Sequence, residues 1–546
     1  MAKTNLPENT NKLKDKLSQD AVSGFLVFML ALPLSLGIAR ASDFPPVMGL
    51  ITAMIGGLIV SFLAGSALTI KGPAAGMIAI VAAAVSDFGQ GDTQLGWKMA
   101  LGTIVIAGLI QIFFGLIKLG SIVDFFPLSA LLGMLAAIGI IIFSKQIHVL
   151  FGVSPVDSLG KPITEPIDLL LAIPNSISTW NGEATLIGII SLMIVFLWPR
   201  IKKSWLQHIP FPVVVMLIAI PLGQYIELDS KYFVHFEKGL AETLRIHVQW
   251  TAFKADFFYL SIKYTLLFAL IGSIESLLTV KAIDMLDPLK RKSNANKDLI
   301  AVGIGNILCG LLGALPMISE VARSTANIKN GAKSRWANFF HGLFMMIFLL
   351  LGIRFNNLIP TPALAALLIG IGYQLASPGQ FGRMAKIGIE QLTVFLITVI
   401  TTIATDLLLG IAAGIVVKLI SQMILGTPVR SVFKAHTHIH GHCLKVAGAA
   451  VFSNWRGIKR EIQKLNQTTS ATIDLSNCNV VDFTVIDNLH HLKIEFANAG
   501  GQLEILGLEE LRTAGNTNHA EATRTKEKES RTTLRQAKRK IRKSPN

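Results

Sequence analysis

Two short stretches put charged groups and helix breaks where the surrounding chain is apolar. Gly313-Ala314-Leu315-Pro316-Met317-Ile318-Ser319-Glu320-Val321-Ala322-Arg323-Ser324-Thr325 runs from an extended piece through a proline into a helix start bearing a carboxylate and a guanidinium. Ser66-Ala67-Leu68-Thr69-Ile70-Lys71-Gly72-Pro73-Ala74-Ala75-Gly76-Met77 likewise runs from strand-like residues through a Gly-Pro break into an apolar helix. Ionisable groups at membrane depth are costly and mark function. Non-helical backbone is tolerated there only where protein buries it or it lines a cavity. A pair of such breaks at matching positions of two halves points to the substrate site of a secondary transporter; singly, Pro73 or Pro316 would read as a kink in an ordinary spanning helix. Helix starts offer free backbone N–H groups and a positive dipole end, so the chemistry on offer is the holding of an anion.

Glu275 is a third ionisable group in an apolar segment, and Thr279 follows one helical turn later on the same face. Hard cations take oxygen ligands, so a coupling-cation site and a structural polar contact inside a helix bundle both fit. Arg323 falls about one turn inside its helix and either attracts substrate or neutralises Glu320 or Glu275. Asp284 and Asp287 read as loop or interface charges. His436, His438, His440 and His442 alternate before Cys443 and would share one face of a strand, with His490 and His491 farther on. Such a tract can bind metal, but solvated side chains are the commoner outcome, and the reading is no metal. Cys309, Cys443 and Cys478 show neither a disulfide framework nor zinc spacing. With no nucleophile beside a base and no Gly-rich phosphate loop, the chain reads as a non-enzyme without cofactor, Na⁺ entering only as a co-transported ion.

These groups need membrane elements to position them. The 546 residues are 51% hydrophobic and only 15% charged, far below the roughly 25% charged of a soluble domain. Spanning segments of about 17 to 25 residues are expected near 20–40, 45–64, 98–118, 127–150, 184–199, 211–226, 256–283, 297–313, 337–354, 359–376, 387–405 and 407–426, with broken helices at 66–88 and 314–330. The net charge of +16 then reads as topology rather than as nucleic-acid binding. With a cytoplasmic N-terminus, the basic runs Arg200 to Lys203, Lys290 to Lys292, Lys329 to Arg335 and Arg383 to Lys386 all fall inside. Loops such as Ser86 to Trp97 and Asp157 to Trp180 fall outside and carry acidic residues.

The fold class expected is an α-helical polytopic membrane protein with fourteen transmembrane segments in two halves of seven. Seven is odd, so the second half is inverted and the two broken helices start facing each other near the midplane. Residues 1–19 form a cytoplasmic N-terminal segment without the apolar core of a signal peptide, and 20–426 form the transport domain. Strands at 444–448, 471–475 and 503–506 and helices at 453–465 and 485–499 suggest a small cytoplasmic α/β domain over 436–512. Residues 513–546, ending in Lys538 to Lys543, read as a disordered basic tail.

At these residues the chain resembles the sulfate permease family of inorganic anion transporters. The resemblance covers nearly everything up to about Arg512. It is carried by Ala31 to Ala39, by Lys71-Gly72-Pro73, by Ser273-Ile274-Glu275-Ser276-Leu277-Leu278, by Pro316, and by Ala322 to Ala332. It implies a core that moves against a gate, a C-terminal STAS domain over 436–512, and as partners a small inorganic anion, the bilayer of a bacterial inner membrane, and a second copy in a homodimer. It also implies a substrate site between the third and tenth helix starts, beneath the first and eighth helices. That nominates Ser35, Gly72, Pro73, Ala74, Ser319, Glu320, Val321, Ala322 and Arg323 for substrate, and Glu275, Thr279 and Glu320 for the coupling cation. Two departures from the family pattern stand out. Ala74 replaces a small hydroxyl residue after the Gly-Pro pair, and Glu320 replaces a small residue. In the STAS-like segment Asp482 is followed by Phe483 and then Thr484, where a phosphorylatable Ser would follow the Asp, which speaks against a phospho-switch. A nucleobase permease of the same architecture, and an anion channel or sensor, are the alternative readings.

Overall fold

The computed structural model describes residues 10–526 apart from 121–125, 158–162, 164, 202–208, 236–244, 290, 352–357, 406, 428, 466–469 and 515–517. Residues 1–9, Lys202, Lys203, Lys290 and the basic run near the C-terminus, on which part of the charge reading rests, lie outside the described residues. The chain divides into two compact units. One comprises residues 1–123, 135–377 and 401–408, the other 124–134, 378–400 and 409–546.

The first unit opens with α1 (Thr10–Ala41) and α2 (Val47–Ile55), which continues through a π turn at Gly56–Val60. β1 (Ile70–Pro73) and a 3-10 turn (Ala75–Met77) lead into α3 (Ile78–Gly89). Then come α4 (Thr93–Leu116), α5 (Leu128–Leu150), whose start up to Met134 belongs to the second unit, α6 (Pro166–Ser178), α7 (Gly182–Leu197), α8 (Phe211–Tyr225), α9 (Phe258–Leu286) and α10 (Ala295–Leu311). β2 (Met317–Glu320), α11 (Val321–Lys329), α12 (Trp336–Leu351) and α13 (Thr361–Leu375) complete it. Each apolar segment expected to span is helical over most of its described length, and both expected breaks are a strand followed by a helix. Among the described residues, six helices are long and apolar enough to cross a bilayer. The loop read between Asp157 and Trp180 holds α6, started by Pro166 at its first position, where a missing N–H costs nothing.

Lipid supplies no hydrophobic drive between helices, so close packing falls to small residues. Gly108 of α4 and Gly303 of α10 meet backbone to backbone: a Cβ on either would lie 2.6 Å from the other's carbonyl oxygen. The organising element is the two-stranded ribbon. β1 and β2 pair antiparallel with Ile70 opposite Glu320, Lys71 opposite Ser319, Gly72 opposite Ile318 and Pro73 opposite Met317. Antiparallel pairing sends α3 and α11 off opposite ends of the ribbon. Side chains fix the chain entering β2. Trp97 Nε1 donates to Gly313 O at 3.0 Å, Thr52 Oγ1 to Leu315 O at 3.1 Å, and Asn306 accepts from Met317 N at 2.5 Å while Asn306 Nδ2 donates to Gln111 at 2.7 Å.

The second unit holds α14 (Pro378–Ile387), most of α15 (Ile389–Ala404) and α16 (Leu407–Ile424), and α17 (Val429–Phe433). It continues with β3 (His436–His440), β4 (Cys443–Ala450), α18 (Trp455–Ile462), β5 (Ser470–Val481), α19 (Phe483–Asn498), β6 (Gln502–Leu506), β7 (Arg512–Thr513) and β8 (Arg524–Thr525). The strand order is β3-β4-β5-β8-β7, with β6 beside β5. Trp455, Ile458, Ile473, Val485, Leu489 and Phe496 are buried between sheet and helices. The sheet runs past residue 512 into what reads from sequence as tail. β8 pairs with β5 and β7, Ala522 and Thr523 are buried, and Lys526 N donates to Asn479 O at 2.9 Å. A segment poor in large apolar residues is ordered here by edge pairing rather than by a core of its own. Of the alternating histidines, His436, His438 and His440 lie on β3 and are exposed, with His438 opposite Lys445 and His440 opposite Cys443, whereas His442 falls in the turn before β4.

Buried polar groups join α15 and α16 to the sheet. Lys418 Nζ pairs with Glu390 at 2.7 Å, and Gln391 Nε2 donates to Thr523 Oγ1 at 2.9 Å. Asp482 caps α19 through Val485 N at 2.9 Å and also accepts from Phe452 N and Gln422 Nε2, each at 2.8 Å. Thr484, the hydroxyl nearest the expected phosphorylation position, is buried and accepts from Leu128 N at 3.1 Å.

Candidate functional site

The two helix starts on the ribbon gather most of the nominated residues. Gly72 and Pro73 are buried in β1, and Ala74 is buried at the turn into Ala75–Met77. Ser319 is buried in β2, while Glu320 is partly open and Val321 and Ala322 at the start of α11 are exposed, Val321 by 48%. The first N–H groups of a helix have no intrahelical acceptor. Here the Glu320 carboxylate takes one of them, accepting from Arg323 N at 2.7 Å. Ser324 ties the helix start back to the ribbon, accepting from Ile70 N at 2.8 Å and donating to Glu320 O at 2.5 Å.

Arg323 is buried, and none of its three guanidinium nitrogens has a hydrogen-bond partner among the described residues. Glu320 Oε2 lies 3.9 Å from Nε, an ion pair without a hydrogen bond. The guanidinium lies back along the ribbon against Gly72, where a Cβ would fall 2.6 Å from Nη1. A side chain at 72 would therefore push the guanidinium out of this position. Glu275 is likewise packed on a glycine: a Cβ at Gly76 would overlap its carboxylate. Glu275 Oε1 is buried without a hydrogen-bond partner among the described residues, and the group is within electrostatic reach of Glu320. Each helix start therefore has one carboxylate beside it, Glu275 of α9 against the turn before α3 and Glu320 at the end of β2 before α11, with the Arg323 guanidinium lying back along the ribbon. Thr279 is buried one turn beyond Glu275, and Ser35 is buried in α1 with its hydroxyl unpartnered among the described residues.

Ser319 departs from the sequence reading. Its hydroxyl donates to Asp298 Oδ2 at 3.1 Å and accepts from Lys71 Nζ, and its N–H donates to Ser276 Oγ at 3.1 Å. Both polar groups are spent inside the protein, which makes Ser319 a strut. Sequence reasoning also passed over Asp298, Gly76 and His341. His341 is buried in α12 within electrostatic reach of Arg323, and neither ring nitrogen has a partner among the described residues. The signal available for Asp298 was the rule that a membrane-buried lysine, here Lys71, needs a carboxylate. A separate cavity of about 240 Å³ is lined by residues including Asp43, Asp87, Lys145 and Tyr264 and by none of the site residues. Among the described residues no group of three or more His, Cys, Asp or Glu converges as a metal site.

A buried guanidinium, helix-start N–H groups without intrahelical acceptors and flanking carboxylates suit reversible binding of a small oxyanion. A model described as the sulfate permease family matches residues 17–400. The chain belongs to the sulfate permease family. Curated relatives include a putative sulfate transporter of Bacillus subtilis, 25% identical over 74% of this chain and 73% of that protein. They also include the bicarbonate transporter BicA of Synechocystis sp., 24% identical over 91% of this chain and 90% of that protein. The solved transmembrane domain of a cyanobacterial BicA matches with a TM-score of 0.63 at 25% identity, covering 73% of this chain and 97% of that one. Murine Solute Carrier 26 family member A9, an anion transporter solved in the inward-facing state, matches with a TM-score of 0.63 at 16% identity, covering 92% and 90%; at that identity the likeness concerns the fold. This member of the family is a multi-pass membrane protein and a transporter rather than an enzyme.

Proposed function

We propose that the chain is a secondary active transporter of a small inorganic anion, sulfate or bicarbonate, working by alternating access and coupled to Na⁺ or H⁺. The observation that carries this is the buried Arg323 guanidinium, unpartnered among the described residues, set between two helix starts against a glycine. The anion sits on that guanidinium and on backbone N–H groups at Ala74 to Gly76 and at Val321 and Ala322. Gly72 and Pro73 keep the approach open, and Ser35 lies on the helix above. Relatives named as sulfate and bicarbonate transporters support the choice of substrate.

Coupling follows from charge. Lys71 is already matched by Asp298 at 2.7 Å, so Glu275 and Glu320 face the single charge of Arg323 and leave one negative charge in surplus. A cation held by Glu275, Thr279 and Glu320, or a proton on one carboxylate, neutralises it when the anion enters. Fourteen spans, a homodimer in the bacterial inner membrane, cytoplasmic termini and a STAS-like role for the α/β domain belong to the same reading and are supported by the basic loops and the family. Uptake of labelled sulfate, bicarbonate and uracil into proteoliposomes, with and without Na⁺ and a pH gradient, tests it. Saturable uptake of one oxyanion that rises with the cation gradient is expected; uracil uptake without oxyanion uptake would overturn the reading.

A further inference from the structure

Beneath the ribbon lies a charged pair that neither the anion nor the coupling cation uses. Lys71, in β1, and Asp298, in the first turn of α10, are both fully buried. Lys71 Nζ reaches both Asp298 oxygens, at 2.8 and 2.7 Å, and also Ser319 Oγ. Asp298 further accepts from Ser319 Oγ at 3.1 Å and from Ser66 N at 3.3 Å. Beside it Asn294 N donates to Gly65 O at 3.2 Å. All three ammonium protons and the carboxylate are therefore satisfied, and one pair stitches together the lead into β1, the start of α10 and the strand β2. Ser319 extends the network to α9 by donating its N–H to Ser276, the residue after Glu275.

A buried ion pair is a poor source of stability, because desolvation of two charges offsets their attraction and apolar replacements of like volume often do as well. What it does well is fix one arrangement among several. The ribbon needs such a device. Two strands of four residues form a marginal unit, and register is weakly specified in short ribbons. A slip of one residue displaces a strand by about 3.3 Å and turns every side chain to the opposite face. Since α3 leaves from β1 and α11 from β2, that slip would carry one helix start past the other and take Arg323 away from Gly72. Lys71 stands opposite Ser319 in the observed register, and only this register brings Ser319 Oγ between Lys71 and Asp298.

We infer that Lys71 and Asp298 are positioning residues that lock the register of β1 against β2 and so hold the two anion-binding helix starts in place, through Ser319 and without touching the anion. This rests on the transport reading for its kinetic consequence but not for its structural one, and the experiment separates the two. The full-length Lys71→Met/Asp298→Leu variant removes the lock without leaving a lone buried charge; either single substitution strands one charge and is expected to lower the yield of folded protein. Folding is followed by thermal unfolding and gel filtration in detergent. The first readout is hydrogen exchange of the amides from Met317 to Ser324, which requires no transported ion. Exchange at least about tenfold faster there, with α10 and α12 unchanged, is expected for loss of the register lock. The second is kinetic: KM for the transported oxyanion rises by about tenfold, the equivalent of one hydrogen bond misplaced, while the maximal rate and the cation dependence stay within about threefold. A folded double variant with wild-type exchange at Met317 to Ser324 overturns the inference. So does one that loosens the ribbon while keeping the wild-type KM. If the wild-type protein moves no oxyanion at all, the transport reading fails and the exchange result decides the register lock alone.

Discussion

Glu320→Gln isolates charge at the anion site with little else changed. Among the described residues the Glu320 carboxylate accepts from Arg323 N at 2.7 Å and lies 3.9 Å from Arg323 Nε. A glutamine oxygen still accepts from the amide, so the helix cap, worth about 1 kcal/mol, survives the change. The charge does not. Unit charges about 4 Å apart interact by about 4 kcal/mol at an effective dielectric of about 20. An anion seated at the start of α11 meets repulsion of that order, against the roughly 4.1 kcal/mol of a millimolar affinity. On the coupling proposed above, Glu320 is neutralised by Na⁺ or a proton as the anion enters. In the glutamine variant that requirement disappears. Measured as initial uptake in proteoliposomes, the variant should lose its dependence on Na⁺ or on the pH gradient, and its KM without the coupling ion should fall by at least about tenfold, which claims only a third of the Coulomb figure. Cation dependence equal to the native protein's would refute the reasoning and leave Glu320 as a cap for α11 and a partner for Arg323.

Other outcomes follow from the same geometry. Gly72→Val should abolish uptake in a folded protein, because its Cβ would fall 2.6 Å from Arg323 Nη1; normal uptake would contradict the placement of the guanidinium. Gly76→Ala should displace the Glu275 carboxylate and weaken cation dependence more than anion affinity, read from uptake at graded Na⁺ and pH. A chain ending at Gly426 should unfold at lower temperature, since Gln391 and Gln422 lose Thr523 and Asp482, yet keep measurable uptake per folded molecule. Burial pushes the Asp482 carboxyl above the ordinary carboxylate range. A raised native pKa stabilises the fold at pH below the unfolded value and the contribution is lost as pH rises through the native value. Thermal unfolding should accordingly show the native protein losing ground to Asp482→Asn as pH rises from about 4, and a constant difference across that range would count against it.

The helix breaks were legible because each combines three local signals: an apolar surround, a Gly-Pro or lone proline, and a helix start. That the two helix starts face each other was expected from seven, an odd number, of spans read in each half. Contacts between distant segments were less visible. Glu275 reads from sequence as a partner of Thr279 on its own helix, whereas its carboxylate packs on Gly76, whose only sequence signal is a missing side chain. Ser319 reads as a substrate ligand because it precedes a helix start, yet Lys71 and Asp298, each more than twenty residues away in sequence, consume its hydroxyl. Asp298 itself looks like an ordinary first-turn acid favoured by the helix dipole. The strand β8 was hidden for a different reason. Its residues are polar, and edge pairing rather than apolar burial holds them, so composition gives no cue.

The placement of the anion is tested most directly by structures of the purified protein with and without selenate, a heavy analogue of sulfate, located by its anomalous signal. A single strong peak is expected within hydrogen-bonding distance of the Arg323 guanidinium and of backbone N–H groups at Ala74 to Gly76 or at Val321 and Ala322, absent in Arg323→Gln. A peak elsewhere in a protein that transports the ion, or one that persists unchanged in Arg323→Gln, would contradict the account.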